Sequence, residues 1–190
     1  MNALRKLIIS IAIVALAQTA VLAYMVTDRV RLLSAGREIT LPIIPVDPRD
    51  LFRGEYVRLG YDIGRVPVSL LDGPAPGAND PFYVVIEKQA DGAWKPVKVS
   101  RAFPKETSPD RVVLKGRVAF DQTPWSKANA TQQVRYGIES YFVPEGQGKR
   151  LEDLAREKRM AALIAVDSSG EAAIKGIIID GKLQYEEPLF

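Results

Sequence analysis

Two hydrophobic rhythms divide the chain. From Leu7 to Val26 the residues are uncharged and overwhelmingly apolar, broken only by Ser10, Gln18, Thr19 and Tyr24. A run of that length, rising about 1.5 Å per residue, covers roughly 30 Å, the thickness of a bilayer's hydrocarbon layer. Residues 7–26 are therefore expected to cross the membrane as a helix. Val30, Leu32 and Leu33 carry the helical spacing on to Ser34, and Gly36 stands where a helix C-cap is expected. Beyond Gly36 the period drops to two. Arg37–Ile44 reads as a short strand, with Pro42 marking an edge or bend. In "EYVRLGYDI", Val57, Leu59, Tyr61 and Ile63 share one face, and Tyr56, Arg58, Gly60 and Asp62 the other. Phe82–Lys88 and Trp94–Val99 read as a hairpin turned at Asp91-Gly92, and Arg111–Phe120 as a further strand. "TQQVRYGIESYFV" sets Val134, Tyr136, Ile138, Ser140 and Phe142 against Arg135, Glu139 and Tyr141.

One helix interrupts the strands. In "GKRLEDLAREKRM", Leu151, Leu154 and Ala155 form an apolar stripe among charges, which predicts a short amphipathic helix lying on the sheet. The C-terminal part is a meander: "MAALIAV" turns at Ser168-Ser169-Gly170 into "EAAIKGIIID", which turns at Asp180-Gly181 into "KLQYEE". Loops such as "LDGPAPGANDP" supply the Gly, Pro, Asn and Asp that turns require. The expected fold is mainly β: an N-terminal transmembrane helix, then an antiparallel β-sandwich or partly open barrel of eight or nine strands with one short amphipathic helix. The boundary falls at residue 36, with 1–36 the signal anchor and 37–190 an extracytoplasmic β-rich domain. So short a junction keeps the domain close to the bilayer surface.

Composition narrows the chemistry. The chain has 190 residues, neither cysteine nor histidine, and a net charge of +3. Thiol catalysis, disulfides and Ser-His or Cys-His nucleophile pairs are excluded; a zinc site is not expected, and neither is a cofactor. Acidic and basic residues interleave, so no basic block points to nucleic acid. A cleaved signal peptide is the rival reading of the leader, since Ala15-Leu16-Ala17 is a small-x-small triplet, but the apolar run continues well past it. Arg5 and Lys6 before the span are nearly balanced by Arg29, Arg31 and Arg37 after it. A short basic tail is the usual signal-anchor arrangement, so the N-terminus is assigned to the cytoplasm and the domain to the periplasm.

Two segments carry the densest pattern. "PVDPRDLFRGEYVRLGY" (Pro45–Tyr61) sets Asp47, Arg49, Asp50, Arg53 and Glu55 in front of an alternating strand. "RYGIESYFVPEGQG" (Arg135–Gly148) is the second. Together they resemble the GDYXXLXY family, named for Gly-Asp-Tyr-x-x-Leu-x-Tyr: Gly54, Tyr56, Leu59 and Tyr61 match, and Glu55 stands in for the aspartate. The resemblance implies a bacterial inner-membrane protein with a multi-span membrane protein as partner. It implies no particular reaction.

Read by themselves, the charges admit a structural account. Asp47 is placed to cap a turn begun by Pro48, and Arg49, Asp50 and Arg53 have the spacing for ion pairs within it. The binding account makes Asp47, Arg49, Asp50, Arg53, Glu55 and Tyr56 a docking surface with Arg135, Glu139, Tyr141 and Glu145. Tyr61 and Tyr136 share faces with aliphatic residues and are assigned to the core, whereas Tyr56 and Tyr141 share faces with charges and are assigned to recognition. The catalytic alternative is a membrane-tethered hydrolase using a carboxylate pair from Asp50, Glu55, Glu139 and Glu145. The anchor-plus-β layout is similar to that of signal peptidases. No Ser-x-Met nucleophile motif is present, however, and Ser100, Ser140, Ser168 and Ser169 read as turn or strand residues. The sequence names no small-molecule ligand.

Overall fold

The computed structural model describes residues 2–45, 56–77, 80–106, 108–118, 125, 130–142 and 148–186. Helix α1 (Asn2–Ala35) is a single unbroken rod. It is long and apolar enough to cross a membrane, and the most apolar window of Ala3–Ala35 buries nothing against the protein. Leucines, isoleucines and valines exposed on every side have no protein to face, so lipid is the solvent that suits them.

The helix passes into the domain without slack. Gly36 does not adopt the left-handed conformation of a C-cap; its N–H continues the helical ladder to the Leu32 carbonyl at 3.1 Å. Glycine is needed here for space. A Cβ at Gly36 would run into the Leu32 carbonyl oxygen and lie 3.1 Å from both the Ala165 Cβ and the Val166 nitrogen. Leu33 is 2% exposed, and the end of α1 rests on two strands of the domain, β10 (Met160–Val166) and β11 (Ala172–Ile179). Arg37 starts strand β1 (Arg37–Pro42) in the next position. Its guanidinium donates to the carbonyls of Arg111, at 2.7 Å, and Pro109.

Two sheets, antiparallel but for one short pairing, supply the core. One is ordered β1-β10-β11-β12, with β12 spanning Lys182–Glu186. Pro42 lies on β1, an edge strand, where a missing N–H costs no ladder bond. The larger sheet uses β3 (Arg65–Pro67), β4 (Leu71–Asp72), β5 (Phe82–Lys88), β6 (Trp94–Ser100), β7 (Arg111–Val118) and β8 (Thr131–Arg135), ordered β3-β8-β7-β5-β6-β4. Its one parallel pairing joins β4 to β6. A single cluster of buried side chains draws Ile39, Leu41, Ile164 and Ile177 from the first sheet and Phe82, Ile86, Leu114 and Val134 from the second. Among the described residues the sheets do not close into a barrel.

The third sheet is a two-stranded ribbon, β2 (Tyr56–Arg58) with β9 (Ser140–Phe142). Helix α2 (Gly148–Arg156) packs on it, burying Leu151 and Ala155 as the stripe predicts. The alternation of Val57, Leu59, Tyr61 and Ile63 is realised in burial, since all four are at most 5% exposed. It is not one long strand, however. The chain leaves β2 after Arg58, bridges Ile44 to Gly60, and makes a 3₁₀ turn at Asp62–Gly64. In the second block the expected face holds for Val134, Tyr136 and Ile138 and then slips: Ser140 and Phe142 are exposed, Phe142 to 80%, and Tyr141 turns toward the core. The slip follows a bend at Gly137, whose φ of +82 suits glycine.

Candidate functional site

The two blocks, some eighty residues apart in the chain, meet. Their pairing is antiparallel, with Tyr56 opposite Phe142, Val57 opposite Tyr141 and Arg58 opposite Ser140. Past the end of β2 the Leu59 N–H donates to the Glu139 carbonyl at 2.9 Å. Two tyrosine hydroxyls then cross-link the blocks in opposite directions. Tyr61, from the first, donates to the Ile138 carbonyl at 3.0 Å; Tyr136, from the second, donates to the Ile63 carbonyl at 2.8 Å. Both phenols are buried, and each satisfies a backbone oxygen that would otherwise lack a donor. Burial, reinforced by the nearby Glu139 carboxylate, holds both hydroxyls well above their ordinary pKa. These tyrosines are clamps in the neutral form.

Glu139 braces the bend. One carboxylate oxygen accepts from the Tyr136 N–H at 2.6 Å and the other from the Gly137 N–H at 3.0 Å. Such charge-assisted bonds fix the turn that delivers Ile138 to Tyr61. Tyr141, expected among charges, is half-buried and packs against the core cluster, because the register sets it on the side of Val57. Arg135 is exposed on β8. Asp47, Arg49, Asp50, Arg53, Glu55 and Glu145 lie outside the described residues, as does the side chain of Tyr56.

Two adjoining clefts open beside the ribbon. The first, about 340 Å³, is lined by Arg58, Arg65, Gln133, Arg135 and Glu139, with Tyr61 and Tyr136 among its walls. The second, about 380 Å³, is lined by Lys115, Arg117, Arg135, Glu139 and Glu171. Arg58, Arg65, Arg117 and the exposed Phe142 were not singled out from the sequence. Arg58 stood on the polar face of a strand, a weak signal. The others depend on strand pairing, which no local pattern states. Among the described residues, no three acidic side chains gather as a metal site would require.

The family model described as GDYXXLXY protein matches residues 18–177, and the chain belongs to that family. No curated protein and no solved structure matches it.

Proposed function

We propose that the protein is a single-pass protein of the bacterial inner membrane, anchored through residues 7–26, whose periplasmic β domain docks a multi-span membrane protein. The docking surface is the corner where the two blocks join, including the charged segment Asp47–Glu55, Tyr56, Arg135 and Glu145. The observation that carries this reading is the ribbon itself. Two distant segments are joined by strand pairing and two reciprocal tyrosine bonds, and the corner so fixed has Phe142 exposed on it and Arg58 and Arg135 beside it. A preorganised exposed corner with an aromatic anchor suits recognition of a protein surface. Tethering near the bilayer raises the effective concentration for partners in the same membrane.

The carboxylate hydrolase is the weaker reading. Of its four acids, Glu139 has both oxygens engaged by backbone N–H groups, which leaves it poorly placed to exchange a proton with a substrate.

Crosslinking in native membranes tests the docking. Arg53→Glu and Phe142→Ser are expected to lose a specific partner while circular dichroism stays unchanged; an unchanged partner profile in both folded variants refutes it. Orientation has a direct assay because the chain has no cysteine of its own. Lys95→Cys, at an exposed position of β6, should react with a membrane-impermeant maleimide in spheroplasts before lysis. Reaction only after lysis reverses the assignment.

A further inference from the structure

A cavity of about 650 Å³ lies where α1 meets the β domain. The helix contributes Asp28, Arg31 and Leu32; the domain adds Arg37, Phe103 from the loop before β7, and Asp167 at the β10–β11 turn. The uncharged run stops at Val26, so Asp28 and Arg31 stand about 3 and 7.5 Å beyond it along the axis. A headgroup layer is roughly 5–7 Å deep on each side of the hydrocarbon. A span at residues 7–26 therefore holds the helix side of this cavity at headgroup level.

The charges in the cavity balance, but they are unequally used. Arg111 and Glu106 also line it, which makes three guanidinium groups and three carboxylates. Arg111 donates to Glu87 at 2.8 Å and to Glu106 at 3.4 Å, and Arg37 donates to two backbone carbonyls. One oxygen of Asp167 accepts from Ser169 and Glu171 within its own turn, and the other accepts from none of the described residues. Among the described residues neither Asp28 nor Arg31 has a side-chain partner. They stand one turn apart on one face, with Cβ atoms about 5–6 Å apart, and yet do not pair with each other.

We propose that this cavity binds one phosphoethanolamine headgroup of a bilayer lipid, with its phosphate on Arg31 and its ammonium on Asp28 and the spare oxygen of Asp167. The site presupposes the membrane placement of α1 proposed above, and neither the docking partner nor the side of the membrane. Opposite charges left open side by side match a ligand that carries both on a short arm. The neutral lining gives a net anion no advantage, which sets a zwitterion ahead of phosphatidylglycerol. A guanidinium fork takes two phosphate oxygens at once. A primary ammonium offers three donors to carboxylates, which the trimethylated ammonium of choline lacks. Val112 and Val113 add apolar wall, and Phe103, 43% exposed and edge-on to Tyr83, adds surface that gains by leaving water. Bound there, the headgroup ties α1 to the β6–β7 loop and the β10–β11 turn at once and braces the junction.

Native mass spectrometry of the full chain in detergent, offered phosphatidylethanolamine, phosphatidylcholine and phosphatidylglycerol at equal concentration, counts what is retained. One phosphatidylethanolamine per chain is expected, about tenfold ahead of either rival, with a melting temperature that climbs with its concentration. Arg31→Gln and Asp28→Asn are each expected to lower that preference about tenfold. Both should leave the melting temperature in lipid-free detergent unchanged, since neither side chain has a partner to lose. Arg29→Gln, on the same helix but outside the lining, should keep the preference; a loss equal to that of Arg31→Gln means general interfacial attraction and overturns the site. Equal retention of the three lipids, preference for phosphatidylglycerol, or undiminished preference in Arg31→Gln and Asp28→Asn overturns it as well. Displacement of the lipid by free phosphoethanolamine at matched concentration overturns the lipid source, and displacement by inorganic phosphate overturns the ammonium contact. Alkaline carbonate extraction tests the placement separately. A chain that washes out of membranes refutes the anchor and the headgroup site with it, whereas one that stays but shows no lipid preference refutes the site alone.

Discussion

Replacing Tyr61 or Tyr136 by phenylalanine removes one oxygen and leaves the ring in place, so neither variant opens a cavity worth the name. Each loses a buried bond, 3.0 Å to the Ile138 carbonyl or 2.8 Å to the Ile63 carbonyl. A buried acceptor deprived of its donor costs about 1–2 kcal/mol. For a chain of this size each kilocalorie lowers the melting temperature by roughly 2–4 °C, so either variant should melt about 2–8 °C below the wild type. Because both hydroxyls close one junction from opposite sides, the double variant should lose less than the two losses added, by about 0.5–1 kcal/mol. Denaturant unfolding of the full chain in detergent, followed by near-ultraviolet circular dichroism, measures all three. Alkali supplies an independent check. Burial and then the Glu139 charge hold the folded phenols above their ordinary pKa, while the unfolded chain releases those protons near pH 10. Stability contributed by the neutral phenols is intact below about pH 10 and is lost as pH climbs from there toward the folded values. The variants should therefore decline less steeply in that range than the wild type. Unchanged midpoints for both single variants, or strictly additive losses, would refute the reciprocal clamp.

Other perturbations probe the remaining contacts. Glu139→Ala strands the N–H groups of Tyr136 and Gly137 and should cost about 1–3 kcal/mol; Glu139→Gln, which keeps an acceptor, should recover part of that in the same unfolding assay. Gly36→Val forces a side chain against the Leu32 carbonyl and β10. It should cost about 1–3 kcal/mol and speed proteolytic cleavage near residue 36. Asp180 receives the Arg159 guanidinium at 2.6 and 2.7 Å, which holds its carboxyl below the ordinary value. The stability it contributes is present above about pH 3.9, where the unfolded carboxyl titrates, and is lost as pH falls through the folded value. Asp180→Asn should accordingly flatten the acid limb of a stability–pH curve, and an unaltered limb contradicts the pairing.

Much of the architecture was legible because local physics writes it locally. The uncharged run from Leu7 to Val26 is a helix long and apolar enough to cross a membrane, and it continues to Ala35 along the spacing of Val30, Leu32 and Leu33. The hairpin of β5 and β6 and the closing meander sit where alternation and turn residues put them. The failures arise where a non-local contact takes control. Counting in twos from Val134 puts Phe142 on that residue's face, yet an odd step falls between Ile138 and Tyr141, and pairing with β2 sets Tyr141 on the side of Val57. Gly36 was read as a conformational cap, although its role is set by Ala165 and Val166 across the junction. The two blocks could be recognised separately, but their meeting depends on a ribbon closed over eighty residues. For the same reason nothing local says that Arg117 lies across the ladder from Arg135.

The seamless passage from α1 into β1 makes the anchor a keyed shaft rather than a leash. A flexible leash would let the module bow and swivel until any side met a neighbour. On the proposed placement in a bilayer, a shaft passes the helix's own tilt and depth on to the module. Deleting a single residue between Val26 and Ala35 would turn the β domain by about 100° relative to the helix before it and draw the two about 1.5 Å closer.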